Sequence, residues 1–423
     1  MGRQKSFICI DLKSFYASVE CVERGLDPFK TNLVVADPTR SQSTICLAIT
    51  PAMKKLGVKN RCRIHEIPAG IEYITAMPRM QLYIDYSARI YSIYLRYISK
   101  EDIHVYSIDE CFMDVTNYLS LYHMTEKEMA VELMDAVMKE TGITATAGIG
   151  TNLYLAKVAM DIVAKHVEDH IGILNEISYR QQLWDHRPLS DFWRIGSRTE
   201  KKLAGYGIHT MGDIAYTSVT SEDWLYKMFG IDAELLIDHA WGLESCDIHD
   251  IKNYHTEEHS LSNGQVLMRN YSFEEAAVVV REMTDVLVLD LVSKGLITGS
   301  VTLWVAYDHR YERPSSHGTV RLTSLTNSSS TIMDEVDKLY QKITDRHTGI
   351  RRIEICANRV MPEGYLQYDL FTDPAAVEKE KNLQQAILDV KKRYGKNAIM
   401  RGANLLDCST YRERNNQIGG HRA

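Results

Sequence analysis

The chain has 423 residues, 45% hydrophobic and 25% charged, with 49 Lys and Arg against 56 Asp and Glu. That length predicts two to four domains, the composition excludes a disordered chain, and no apolar run approaches the roughly 18 residues of a membrane span. A net charge of −7 excludes a uniformly basic nucleic-acid binder, so any polyanion site has to be local; basic residues are in slight excess over 13–78 and 361–423, whereas 171–254 is acidic.

The first predicted element is a strand at residues 6–11. The preceding "MGRQKS" formally fits a myristoylation pattern, but a buried strand that starts at once is the stronger reading. Asp11 and Lys13 interrupt any secretory h-region. Residues 79–98, "RMQLYIDYSARIYSIYLRYI", are long and apolar enough for a buried helix. Residues 103–108 and 111–115 read as short strands, and 126–140 as an amphipathic helix with acids in its first turn. Residues 143–149, "ITATAGI", are a β-branched strand. The order β-α-β-β-α-β is that of a ferredoxin-like unit, with residues 12–78 inserted after its first strand.

In such a sheet the first strand runs antiparallel beside the third. The end of strand one, Asp11, then meets the start of strand three, where Asp109 and Glu110 stand together in "HVYSIDECFMDV". Asp-Glu is poor hairpin chemistry, since Asn-Gly would serve a turn better. An exposed acidic turn is the plain alternative for the pair alone, and the convergence with Asp11 outweighs it. Three clustered carboxylates repel one another unless a cation neutralises them. Hard oxygen ligands favour Mg²⁺, and sites of this kind hold two ions about 4 Å apart for phosphoryl transfer.

Further along, residues 192–215, "FWRIGSRTEKKLAGYGIHTMGDIA", read as a helix-hairpin-helix with turns at Gly196 and Gly207. Backbone amides there can take phosphates without reading sequence, with Arg198, Lys201 and Lys202 adding local charge. From about 255 to 360 the β-α-β-β-α-β pattern recurs without an acid pair. Eight scattered cysteines with no C-x-x-C pair argue against a zinc site or a disulfide framework, and for reduced thiols in the cytoplasm.

Three blocks, "CIDLKSFYASVE" (9–20), "YSIDEC" (106–111) and "GIGTNLYLAKVA" (148–159), resemble those of the Y-family translesion DNA polymerases, in the UmuC-like (ImpB/MucB/SamB) branch of Gram-positive type. The resemblance implies an α+β multidomain chain. Its parts are a palm at 1–12 and 79–170, fingers at 13–78, a helical thumb at 171–254, a little finger at 255–361 and a tail at 362–423. It implies that Asp11, Asp109, Glu110 and the Leu12 carbonyl hold two Mg²⁺ ions. Tyr16 becomes a steric gate against a ribose 2′-hydroxyl, with Phe15 beside it, and Lys157 a triphosphate ligand. In the fingers the family often shows a Tyr and an Arg three apart. Here Pro51 and Lys54 stand there, so Lys54 supplies charge without a bidentate fork.

The same resemblance reaches "QYDLF", residues 367–371, which is similar to the pentapeptide that binds the sliding clamp. Leu370 and Phe371 would be adjacent apolar anchors, with Gln367 a polar handle. Primed template DNA, deoxynucleoside triphosphates, the clamp, a UmuD-like protein and RecA are the partners it implies, in a cytoplasmic, nucleoid-associated protein. The implied activity is template-directed, error-prone synthesis past damaged bases in the SOS response, without proofreading, because no exonuclease constellation is present. Two other readings compete: a non-catalytic DNA- and clamp-binding scaffold of the same fold, and a nucleotide cyclase. The three retained carboxylates disfavour the first, and the helix-hairpin-helix with a second βαββαβ unit disfavours the other.

Overall fold

A computed structural model of the chain describes residues 5–40, 43–254, 260–365 and 373–423. Two compact units emerge, Met1–His255 and Thr256–Ala423.

The first unit opens with strand β1 (Phe7–Leu12) and helix α1 (Phe15–Val22). A small insertion follows, comprising β2 (Leu33–Val35), β3 (Ala48–Ile49), α2 (Pro51–Lys55) and β4 (Ile74–Ala76). The chain returns in α3 (Met80–Tyr94), β5 (Ile103–Val105), β6 (Glu110–Asp114), α4 (Tyr118–Tyr122), α5 (Glu126–Thr141), β7 (Ala145–Gly150), α6 (Leu153–Val158) and β8 (Ile171–Leu174). Six helices complete the unit: α7 (Glu176–Leu183), α8 (Ser197–Ala204), α9 (Met211–Thr220), α10 (Glu222–Phe229), α11 (Asp232–Trp241) and α12 (Ile248–Asn253).

The main sheet has the order β5-β6-β1-β7-β8, whose first four positions are the ferredoxin-like arrangement expected. β1 sits at its centre, antiparallel to both β6 and β7. Its sequence is apolar on both faces because both are covered: Phe7 and Cys9 pack against Leu153, Ala156 and Met160, while Ile8 and Ile10 are buried on the opposite face. Helix α5 is bounded as its sequence dictates, with a Thr125–Glu128 capping box at the start and Gly142 in the left-handed region at the end.

Three boundaries differ from the sequence reading. The helix expected over 79–98 stops at Tyr94, and the strand expected over 103–108 stops at Val105. Ile171–Leu174, which falls in the stretch expected to be thumb, pairs in parallel with β7 as a fifth strand of the palm sheet. A four-residue apolar run carries too little periodicity to be placed without its neighbour.

The second unit contains β9 (Ser260–Tyr271), α13 (Phe273–Ser293), β10 (Leu296–Tyr307), β11 (Ser316–Thr326), α14 (Ser329–Ile343) and β12 (Ile350–Asn358), then α15 (Pro374–Tyr394) and α16 (Tyr411–Asn415). The element order β-α-β-β-α-β recurs as expected, but the sheet order is β11-β10-β12-β9. Its first strand lies at an edge, whereas β1 is central in the palm. The C-terminal residues fold onto the helices of this unit. Arg401 grips Asp285, and Ser409 and Thr410 hydrogen-bond the buried carboxylate of Glu282.

Candidate active site

Ladder register brings the predicted acids together. Asp11, the fifth residue of β1, lies directly opposite Glu110, the first residue of β6. One residue on, the Leu12 amide donates to the Asp109 carbonyl at 2.9 Å. Asp109 lies in the tight connection before β6, and Ser107 holds it: the Ser107 hydroxyl donates to Asp109 Oδ1 at 2.6 Å. The acid pair therefore does not sit together at a hairpin tip. Asp109 belongs to the turn, and Glu110 is a buried strand residue, 7% exposed.

The electrostatics match the geometry. Burial, followed by the charges of Asp109 and Glu110, pushes the Asp11 carboxyl up to about 7. Burial also raises Glu110, although Lys157 opposes it. Burial disfavours the charged form of both, and at Asp11 the neighbouring acids add to it. Their donor set, all oxygen, fits a hard divalent cation such as Mg²⁺. The three do not close to a single-ion shell, because Glu110 is drawn to Lys157 and Asp109 to Ser107. Among the described residues the group whose ligand atoms lie within 4.8 Å of one another is Asp247, His249 and Asp250. There Asp247 caps α12 and pairs with Lys5, which gives that group a structural account.

Lys157 reaches the acids because α6 lies almost on the sheet. A Cβ on Gly148 would stand 2.1 Å from the Ala156 carbonyl oxygen, and one on Gly150 2.2 Å from the Ala156 amide nitrogen. Only glycine permits this approach. The Lys157 ammonium bonds Glu110 Oε2 at 2.9 Å and Asp161 Oδ2 at 3.0 Å. Burial works against this charge, but Asp161 and Glu110 outweigh it and hold the ammonium above its usual range. Lys157 lies a full turn past the Asn152 N-cap, beyond the reach of the helix terminus. Its charge is balanced by side chains. A π-helical turn, Ala159–Val163, follows directly and carries Asp161.

Phe15 and Tyr16 start α1, immediately after the acid strand. Phe15 is buried, while Tyr16 is half-buried and stacks on Tyr83 of α3. The helix is entered through Ser14 in the left-handed region, φ 49°, with its buried hydroxyl unpartnered. Strain of this kind is common beside functional sites. Lys54 of α2 is brought within electrostatic reach of Asp11 and of Lys13. Burial, then Lys54, pulls the Lys13 amine down to about 8.

The helix-hairpin-helix expected over 192–215 is α8, a turn through Gly207 (φ 79°), and α9. Gly196 caps α8, and Arg198 and Lys201 are exposed. Lys202 is exposed too, but its ammonium is engaged within the helical domain: it donates to the Met228 carbonyl and lies over the Phe229 ring. Gln367, Leu370 and Phe371 lie outside the described residues.

Sequence reading missed Lys13, Cys9, Asp161, and the cluster of Glu20, Arg79 and Tyr83. Cys9 donates to Glu110 Oε1 at 3.3 Å. Lys13 had a local signal, a cation two residues past Asp11. Asp161, four residues after Lys157, had a helical one.

Comparison with known proteins agrees with this architecture. The chain matches the impB/mucB/samB family over residues 10–161 and that family's C-terminal domain over 258–370. It is 30% identical to "DNA polymerase IV 2" of Bacillus subtilis (strain 168), with 100% of both chains covered. It is 29% identical to "Putative UV-damage repair protein UvrX" of the same organism, over 99% of this chain and 98% of that one. Among solved structures, the "Y-family DNA polymerase chimera Dbh-Dpo4(243-245)-Dbh" matches with TM-score 0.64 and 21% identity, covering 84% of this chain and 99% of the other; at that identity the likeness establishes the fold.

Proposed function

The chain belongs to the impB/mucB/samB family of Y-family DNA polymerases, and from that premise we propose that it performs template-directed, error-prone DNA synthesis past damaged bases, in the SOS response, by a two-metal mechanism. One observation carries the mechanism. Asp11 and Glu110 face each other in register, with Asp109 tied to the next residue, and burial, followed by the charges of these two neighbours, pushes Asp11 up to about 7.

Asp11, Asp109, Glu110 and the Leu12 carbonyl would hold the metals. Two bound Mg²⁺ ions would activate the primer 3′-hydroxyl and neutralise the triphosphate and its leaving pyrophosphate. Glu110 now shares its charge with Lys157. Were Glu110 to hold a cation instead, the ammonium would be available to the triphosphate, with Asp161 still its partner. Lys54 and Lys13 add charge from the fingers side and from the strand end. The Tyr16 ring, with Phe15 packed behind it, walls off the space that a ribose 2′-hydroxyl would need. Exposed Arg198 and Lys201, with amides near Gly196, meet the DNA backbone, and 367–371 tethers the enzyme to the sliding clamp. Proofreading is absent from this scheme. A UmuD-like protein and RecA are the further partners, in the cytoplasm at the nucleoid.

The retained acids leave the non-catalytic scaffold without a supporting observation. Extension of a primed template, undamaged and with an abasic site, tests the reading. Mg²⁺-dependent extension through the lesion is the expected result, and DNA binding without extension would overturn it.

A further inference from the structure

Tyr16 is not oriented by its own helix alone. Its ring stacks on that of Tyr83 with centroids 4.5 Å apart and planes 21° from parallel. Tyr83 is fully buried, and its hydroxyl donates to Glu20 Oε1 at 2.7 Å. Glu20 is four residues after Tyr16 and so lies on the same face of α1. It too is fully buried.

A carboxylate in that position costs free energy unless its lone pairs are filled. Arg79 fills them from the start of α3, with Nε 3.0 Å from Oε1 and Nη2 2.7 Å from Oε2. Arg24 donates to Oε2 as well. Burial would raise this carboxyl, but the bonds from Arg79, Tyr83 and Arg24 outweigh it and hold it low. Packing alone does not require such a cluster, since apolar side chains of similar volume would fill the space without desolvating an ion. What the cluster adds is direction. The Tyr83 ring is fixed at its hydroxyl end and so offers a fixed face to Tyr16.

We infer that Tyr83 and Glu20 are positioning residues for sugar discrimination: Glu20 fixes Tyr83, Tyr83 fixes the Tyr16 ring, and the firmness of that stack sets how well a ribonucleotide is excluded. The inference rests on the reading of Tyr16 as the wall beside the sugar. Neither residue is placed among the acids or the phosphate ligands, so selectivity changes more than the rate of deoxynucleotide insertion.

The test is single-nucleotide insertion of a deoxynucleotide and its matching ribonucleotide, with kcat and KM for each and a melting temperature for every variant. Tyr16→Ala should raise the ribo-to-deoxy ratio of kcat/KM most. Tyr83→Leu should raise it by about threefold to tenfold, the worth of an aromatic stack. Tyr83→Phe and Glu20→Gln, which keep the ring but loosen its anchor, should raise it less. If Tyr16→Ala leaves the ratio unchanged, the wall reading itself fails. If Tyr16→Ala moves the ratio and a folded Tyr83→Leu does not, the positioning role is overturned. Should Tyr83→Leu not fold, unchanged ratios in both Tyr83→Phe and Glu20→Gln overturn it instead.

Discussion

Glu110 faces Asp11 across the β1–β6 ladder while its Oε2 accepts a hydrogen bond from Lys157 at 2.9 Å. A residue expected to bind metal and one expected to bind triphosphate are thus partners of each other. The pairing compensates two partly desolvated charges with each other.

If the acids act on cations and not on the duplex, their loss should separate chemistry from binding. Asp109→Ala or Glu110→Ala is expected to abolish Mg²⁺-dependent primer extension, by on the order of a thousandfold or more, with DNA affinity nearly unchanged. Extension rates and fluorescence-anisotropy titrations of primed DNA measure the two quantities. Near wild-type extension by both variants would sink the metal assignment.

Asp11 gives a pH dependence with a definite sign. Its folded-state value of about 7 stands above the ordinary 3.8, so the folded protein holds a proton that the unfolded chain has released. Stability is therefore present at low pH and lost as pH rises from near 4 through 7 in metal-free protein. Asp11→Asn removes that loss. Its melting temperature without Mg²⁺ should exceed that of wild type by several degrees at pH 8, with the gap closing toward pH 5. A gap independent of pH would mean that the Asp11 charge is not the cause.

Much of this site was legible in the sequence because element order is. The β-α-β-β-α-β order sets the first strand antiparallel beside the third, which was enough to bring Asp11 to the acid pair at the start of that strand. The element order of both βαββαβ units also followed from periodicity and caps. Tertiary side-chain partners leave no such trace. Nothing local to Lys157 announces Glu110, nothing in the helix-hairpin-helix announces that Lys202 turns to Met228, and no pattern links Glu20 to Arg79, 59 residues away. Sheet order in the second unit was hidden for the same reason, since one run of elements can be laid down with its first strand central or at an edge.

Asp161 should matter through Lys157. Asp161→Asn removes one of the two carboxylates that hold the ammonium, leaving Glu110 as its remaining ionic partner. The expected result is a deoxynucleotide KM roughly tenfold higher, the worth of one charge-assisted hydrogen bond, with a smaller change in kcat. Lys157→Ala should have a larger effect on the same constant. An equal fall in kcat with KM unmoved would place Asp161 outside phosphate binding.

The clamp-like "QYDLF" segment, 367–371, is separable from catalysis if it is a tether. Leu370→Ala with Phe371→Ala should leave extension without clamp unchanged and remove stimulation by clamp, because tethering works through effective concentration. Titration calorimetry against the clamp decides it; equal binding by wild type and double variant would refute the motif.

The residues beyond 395 had no reading from sequence, and the fold gives them one. Glu282 of α13 is 3% exposed, and its partners come from this segment. The Ser409 hydroxyl donates to Oε1 at 2.5 Å, and the Thr410 amide to Oε2 at 3.2 Å. Arg401 adds a bidentate pair with Asp285 on the same helix. Deleting 395–423 would strip the partners from a carboxylate set into a helix face, at a cost of about 1–3 kcal/mol beyond the lost packing. Hydrogen exchange in α13 should therefore speed up in the truncated protein. Glu282→Leu should slow it again there, since an apolar side chain needs no partner, yet destabilise the full-length chain, where it leaves Ser409 and Thr410 unsatisfied. Opposite signs in the two backgrounds are the result expected of a folded tail. Equal effects in both would show that Glu282 does not depend on the tail.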